Sequence, residues 1–156
     1  MRPPSDRPAV DDHRRHRGPR SAAPRQLPHE ALDGLSQWCD SPAVPVRLVY
    51  FRQPGGREPV RAFLDGIDNK KELAQVLADL TLLRDEGPVL PFPHSSSVVS
   101  FPGLRELRTR HGNAQFRVLY CVDKGDVVLL HAFVKRASSQ ARHEYELAAE
   151  RAGRLK

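Results

Sequence analysis

The chain has 156 residues, with 25 Lys and Arg against 19 Asp and Glu, a net charge of +6 and a pI near 9.8. That length suits one domain and excludes a second of enzyme size. Apolar residues make up 39%, below the usual globular range of about 45–50%, so part of the chain adds nothing to a core.

The N-terminus is that part. Residues 1–45 hold eight of the fourteen prolines and seven arginines, with scattered apolar residues and no sustained period, a composition that does not fold alone. Residues 46–156 carry 18 Lys and Arg against 13 Asp and Glu, so the folding part is itself basic and its natural partner is a polyanion. The expected organisation is a Pro/Arg-rich disordered extension over 1–45 and one domain over 46–156. The Arg/Pro/Ala bias of 1–43 and the abrupt start of the domain pattern at Val44 or Val46 raise the expectation that the extension is translated upstream sequence.

No run approaches the roughly 18 apolar residues that span a bilayer. The arginine-bearing N-terminus lacks the apolar stretch of a secretory signal. A cytoplasmic protein with no membrane partner is expected. Cys39 and Cys121 form neither a disulfide framework nor a CxxC pair, and read as free thiols in a reducing compartment.

In chain order, Leu32, Leu35, Trp38 and Cys39 follow Pro28 at helical spacing. Isolated helices this short are marginal in water, which favours an unstructured leader over a helix docked on the domain or a partner. Val46 to Arg52, rich in branched and aromatic residues and closed by Pro54-Gly55-Gly56, predicts the first strand. Pro59 opens a short helix with Val60, Phe63, Leu64 and Ile67 on one face, ending near Gly66. Asn69 with Glu72 matches a capping box, and Leu73, Val76, Leu77, Leu80 and Leu83 carry a second helix to Gly87-Pro88.

After a loop rich in Pro and Ser, Leu104 to Thr109, Gln115 to Val122 and Asp126 to Val134 predict three strands in an antiparallel meander. Val127 to Leu130 are apolar on both faces, which puts the last strand inside the sheet. Ser138 is expected to cap a C-terminal helix containing Tyr145, Leu147, Ala148 and Ala149. The fold class is α+β: a small antiparallel sheet of about four strands, two helices on one face and a C-terminal helix.

Nucleotide-binding and hydrolase signatures are missing: no G-x-G-x-x-G after a strand, no phosphate loop, no G-x-S-x-G elbow. The seven histidines have neither H-E-x-x-H spacing nor cysteine partners, so neither a metal site nor a cofactor is expected. What remains is a set of cations on the meander: Arg105, Arg108, Arg110, Arg117, Lys135 and Arg136. Strand alternation places Phe116, Val118 and Tyr120 on the core face and Arg117 on the other, expected to be a solvent-facing concave basic surface. Arg105 and Arg108, three apart, point to opposite faces. His131, inside an apolar strand, reads more readily as a hydrogen-bonded core histidine than as a functional one.

Gly103-Leu104-Arg105-Glu106-Leu107-Arg108, Phe116-Arg117-Val118-Leu119-Tyr120 and Leu129 to Arg136, in this order and spacing, resemble the RelE/ParE superfamily, specifically the phage-derived HigB-like branch of toxin-antitoxin toxins. The resemblance covers about residues 46–153. It implies a RelE-like fold and a ribosome-dependent endoribonuclease that cuts mRNA, neutralised by a helix-turn-helix antitoxin encoded nearby. It assigns the catalytic role to Arg117, to the basic pair Lys135 and Arg136, and by alignment to Arg108; Arg105, Arg110, His131 and His143 are the expected RNA-binding set. Glu106 stands where some members carry lysines. The C-terminal aromatic of the best-known branch has no fixed counterpart, since Arg142 and His143 lie nearest in spacing and Tyr145 fits helix packing.

Cutting RNA without a metal needs cations on the transition-state phosphate, which arginine forks supply, and a lysine or histidine to move protons. Alternatives on the same fold are a non-enzymatic ParE-like inhibitor of DNA gyrase and an inactive nucleic-acid-binding relative, because fold alone does not fix function. The trio Arg117, Lys135 and Arg136 separates them, being needed by a nuclease and not by a protein ligand.

Because strand periodicity and core composition both start near Val46, deleting residues 1–43 should leave a cooperative thermal unfolding transition. A truncated protein that fails to fold would make the extension part of the domain.

Overall fold

The computed structural model describes residues 44–156. The helical pattern from Leu32 to Cys39 lies outside them. The elements run β1 (Leu48–Tyr50), α1 (Pro59–Asp65), α2 (Lys70–Glu86), β2 (Ser95–Ser97), β3 (Arg105–His111), β4 (Ala114–Asp123), β5 (Asp126–Val134) and α3 (Ser138–Gly153). One five-stranded sheet has the order β1-β5-β4-β3-β2. This is the expected α+β class with the expected β3-β4-β5 meander and β5 inside the sheet.

Two features differ from the expected four-stranded antiparallel sheet. β1 is parallel to β5, with Leu48 opposite Val127 and Tyr50 opposite Leu129. A fifth strand, β2, pairs with β3 through Ser95 opposite Leu107 and Ser97 opposite Arg105. Three serines have no apolar alternation to betray a strand, and this one is held at the edge by bonds from its neighbour.

The helices follow their sequence signals. Pro59 sits in the first turn of α1, where its missing N–H costs nothing, and Val60 and Leu64 are buried. Asn69 caps α2 by accepting from the Lys71 amide at 3.0 Å, while its own amide group donates to Glu72 at 3.2 Å, so the acid steadies the cap through the side chain rather than the backbone. Val76, Leu80 and Leu83 are buried, whereas Leu77 at the margin of the stripe is 44% exposed. At the β4–β5 turn both Lys124 and Gly125 have positive φ, 50° and 88°. A two-residue hairpin needs that conformation to match strand twist, and Gly125 adopts it without a Cβ penalty. α3 begins with Ala137 as its cap and Ser138 already helical, with no side-chain cap bond; Ser138 is not the cap that the sequence suggested.

The sheet is covered on both sides. α1 and α2 pack on Leu107, Phe116, Val118, Tyr120, Val127 and Leu129. α3 lies across the other face, its Ala141 and Ala148 packed with Leu119, Val128, Leu130 and Phe133. The open basic surface expected there does not exist. Small residues at 141, 148 and 152 let α3 approach closely, and a β-bulge between β4 and β5 sets its contacts. Leu119 pairs with His131 and Tyr120 with Leu129, leaving Leu130 as the extra residue, so Leu130 and His131 both face α3.

His131 is thereby built into the α3 interface. The buried Arg151 donates to the Leu130 carbonyl at 2.8 Å and to His131 Nδ1 at 2.9 Å. Since arginine cannot accept, Nδ1 is unprotonated and Nε2–H donates to Glu144. Burial pushes the His131 pKa below its ordinary 6.5, and the charges of Arg151 and His143 add to that; the Glu144 carboxylate only partly offsets them.

Below about pH 6.5 the unfolded chain therefore binds a proton at His131 that the folded chain refuses, and stability is lost as pH falls until it passes the lower folded value. The melting temperature should drop between about pH 7 and about pH 5, and His131→Gln should remove part of that drop. An identical pH profile in the variant would contradict the assignment.

Candidate nucleic-acid interface

β3 and β4 place Arg108 directly opposite Arg117 and Arg110 opposite Gln115. Alternation sends Glu106, Arg108 and Arg117 to the α3 side of the sheet, together with Leu119. Glu106 is 4% exposed. Arg108 Nε donates to Glu106 Oε1 at 2.6 Å, Tyr145 of α3 donates its hydroxyl to Oε2 at 2.8 Å, and Arg117 Nε lies 3.8 Å from Oε2. Burial pushes the Glu106 carboxyl up, but donation from Tyr145 and Arg108 and the charges of Arg108 and Arg117 outweigh it and hold the group below its ordinary value. A buried carboxylate is retained only when so partnered.

Tyr145 both packs and bonds. Its ring centroid lies 6.4 Å from that of Phe101 and 6.3 Å from that of Phe133. Burial together with its bond to the Glu106 carboxylate pushes its hydroxyl up to about 12, so it is a donor and not a base at neutral pH.

Arg117 is 7% exposed, which corrects its expected solvent-facing placement. Its Nη1 donates to the Phe116 carbonyl at 3.0 Å and Nη2 reaches Gln115 Oε1 at 3.5 Å, while Nε, closed off from solvent, has no hydrogen-bond partner among the described residues. Burial lowers its pKa, the Glu106 charge opposing and the Arg108 charge reinforcing the shift. A guanidinium has five N–H donors in a fixed fork, and this one has donors unspent.

Arg117 borders a hollow of about 420 Å³ at the edge of β3, lined also by Arg108 and Arg110 with His94, Gln115 and, from α2, Gln75 and Asp79. The structure thus brings together three of the expected cations. Arg110 is exposed, and its side chain donates to the Gly112 carbonyl at 3.3 Å. Lys135 and Arg136 leave the end of β5 nearby: the Lys135 amide donates to the Gln115 carbonyl at 2.8 Å, Lys135 is half-buried and Arg136 exposed.

The remaining expected residues lie elsewhere. Arg105 points to the α1–α2 side, as its spacing from Arg108 required, and donates to Tyr120 Oη, Ser97 Oγ, Ser95 Oγ and the Leu90 carbonyl at 3.0 to 3.3 Å. It pins β2 and the preceding loop to β3 and does not line the hollow. His131 is spent on Glu144 and Arg151. His143 is exposed on α3 and does not line the hollow.

Glu106 as the hub, the unspent donors of Arg117 and the hydroxyl role of Tyr145 were beyond the sequence reading. The Glu106–Arg108 spacing of two, which puts an acid and a base on one strand face, was the available signal for the first. Among the described residues no helix is long and apolar enough to cross a membrane, and no three His, Cys, Asp or Glu side chains gather where they could hold a metal ion.

A small α+β domain with an arginine-lined hollow beside its sheet edge is a class suited to anionic ligands. A family model described as phage-derived protein Gp49-like (DUF891) matches residues 62–153, from α1 through α3. The chain belongs to this Gp49-like family, a family of RelE/HigB-like toxins, and membership fits a toxin of a toxin-antitoxin pair with an antitoxin partner. No curated protein and no solved structure matches the chain.

The burial contrast between the two principal arginines is measurable. Arg117→Ala removes a buried, bonded side chain and should cost about 1–3 kcal/mol of stability, whereas Arg136→Ala at an exposed site should leave the thermal melt little changed. Equal effects in both melts would mean that Arg117 is not buried in solution.

Proposed function

We propose that this chain is the toxin of a type II toxin-antitoxin system, of the phage-derived HigB-like branch, and that it cuts mRNA on the ribosome as a metal-independent endoribonuclease. The observation that carries the reading is the hollow in which Arg108, Arg110 and Arg117 converge. Family membership and the basic surplus of residues 46–156 support it.

In this reading the RNA supplies its own nucleophile. The 2′-hydroxyl loses its proton and attacks the adjacent phosphorus, the bond to the 5′-oxygen breaks, and the products are a 2′,3′-cyclic phosphate and a 5′-hydroxyl that takes up a proton. Charge grows on the phosphate oxygens along this path. Arg117 and Arg108 line the hollow and are held in place by Glu106, so little reorganisation is needed as the charge develops. Lys135 and Arg136 extend the cationic edge at the end of β5 and serve the phosphate and the proton transfers. Arg110, free at its tip, steers the strand.

Arg105, His131 and His143 have no part in this reading, the first two because their polar atoms are occupied inside the fold. Glu106 acts as a positioning residue: it fixes two guanidinium groups and, through Tyr145, ties them to α3.

Expression in growing bacteria followed by primer extension on mRNA tests the proposal. New 5′ ends should appear with the wild type. Arg136→Ala should reduce cutting by a factor of roughly 100 to 1,000, the usual loss on removing one charge-assisted donor to such a transition state, about 3–4 kcal/mol. Arg117→Ala should do the same, read alongside its melt. Growth arrest without mRNA cuts in the wild type would replace the nuclease with the protein-inhibitor reading.

A further inference from the structure

The loop between α2 and β2 is anchored on both sides and still presents an aromatic ring to water. The Tyr120 hydroxyl donates to the Pro88 carbonyl at 2.9 Å and Arg105 donates to the Leu90 carbonyl at 3.2 Å. Beyond them the His94 and Ser95 amides both donate to the Pro91 carbonyl, at 3.1 and 3.2 Å, and the Arg108 amide donates to the His94 carbonyl at 2.8 Å. Phe92, between these anchors, is 73% exposed.

A single exposed apolar side chain needs no explanation by itself. This one has charged company. The Arg108 guanidinium carbon lies 5.4 Å from the Phe92 ring centroid, and Arg108, Pro93 and His94 line the same hollow as Arg110 and Arg117. A ring held at a fixed place next to a cationic hollow matches how unpaired RNA is gripped: the backbone lies against cations while a splayed base stacks on an aromatic face or a guanidinium plane. An apolar protein partner would account for the ring and leave the three arginines beside it unexplained.

We propose that Phe92 is the stacking platform for an unpaired RNA base whose neighbouring phosphate occupies the arginine hollow, with the Arg108 guanidinium joining the stack. The proposal rests on the RNA reading above and adds the part of the nucleotide that the cations do not recognise. Stacking tolerates any base, so the platform orients the strand for the hollow rather than choosing a sequence.

Fluorescence anisotropy on the full chain tests it, with two labelled probes: a short single-stranded RNA and an abasic ribose-phosphate strand of the same length and charge. Phe92→Ala should weaken binding of the RNA roughly 5- to 150-fold, the range for losing an aromatic stacking contact, and leave the abasic strand unaffected. The dependence of affinity on salt should keep its slope, since no phosphate contact is lost. Phe92→Tyr should restore RNA binding, and Arg110→Ala should weaken both probes and flatten the salt slope by roughly 0.7. A thermal melt of Phe92→Ala should match the wild type, because the ring is outside the core.

Unchanged RNA affinity in Phe92→Ala, or equal loss on both probes, overturns the platform while Arg110→Ala still reports RNA binding at the hollow. Phe92→Ala that loses only the product of the adjacent gene, with RNA affinity intact, assigns the ring to a protein interface and also overturns it. Failure of the underlying RNA reading looks different: the wild type then binds neither probe and Arg110→Ala changes nothing.

Discussion

The cationic site depends on the buried carboxylate of Glu106. Taking a carboxylate out of water is costly unless charges and donors replace the water, and here Arg108, Arg117 and the Tyr145 hydroxyl replace it. The same contacts restrain two flexible guanidinium side chains that would otherwise repel one another across β3 and β4. Because Tyr145 belongs to α3, the seat of the helix and the aim of the arginines are parts of one network. Removing the carboxylate would leave two cations close together without the negative charge between them, Arg117 keeping its bonds to Phe116 and Gln115 and Arg108 its place over the Phe92 ring.

Arginines of equal composition take three different roles by virtue of where the backbone puts them. Arg105, on the α1–α2 side, spends its donors on serines, a tyrosine hydroxyl and a backbone carbonyl, and so fastens β2 and the loop that carries Phe92. Arg151 is buried under β5 and spends its donors on Leu130 and His131. Arg117 is equally buried and lines the open hollow; its Nε, closed off from solvent, has no hydrogen bond among the described residues and faces the Glu106 carboxylate at 3.8 Å. A buried donor without a hydrogen bond is destabilising, and the charge of the neighbouring Glu106 carboxylate offsets part of that cost.

The location of the hollow follows from how little of β3 its edge strand covers. β2 pairs only with Arg105 to Leu107 and one further bond ties the Arg108 amide to the His94 carbonyl, so among the described residues β3 beyond Arg108 is open on that side. The loop residues Pro93 and His94, the α2 side chains Gln75 and Asp79, and the arginines of β3 and β4 meet in that gap. A longer β2 would close it. The serines that make β2 weak as a strand thus go with the opening of the site.

From its sequence alone this protein settles its helices and three central strands, since those are written in local signals: the Asn69 cap, the leucine stripe of α2, the turn at Lys124-Gly125 and the double-sided apolar run of β5. Sequence also places the relevant cations on β3, β4 and the end of β5, and separates Arg105 from Arg108 by parity alone. It could not decide whether the second face is covered, because Ala141 and Ala148 give no sign of what the C-terminal helix packs on, nor could it show the bulge that turns His131 into the α3 interface. Only the tertiary structure decides which arginines are already satisfied and which have donors to spare, because that depends on partners such as Leu90, Ser95, Glu106 and Tyr145 that folding brings in from elsewhere in the chain.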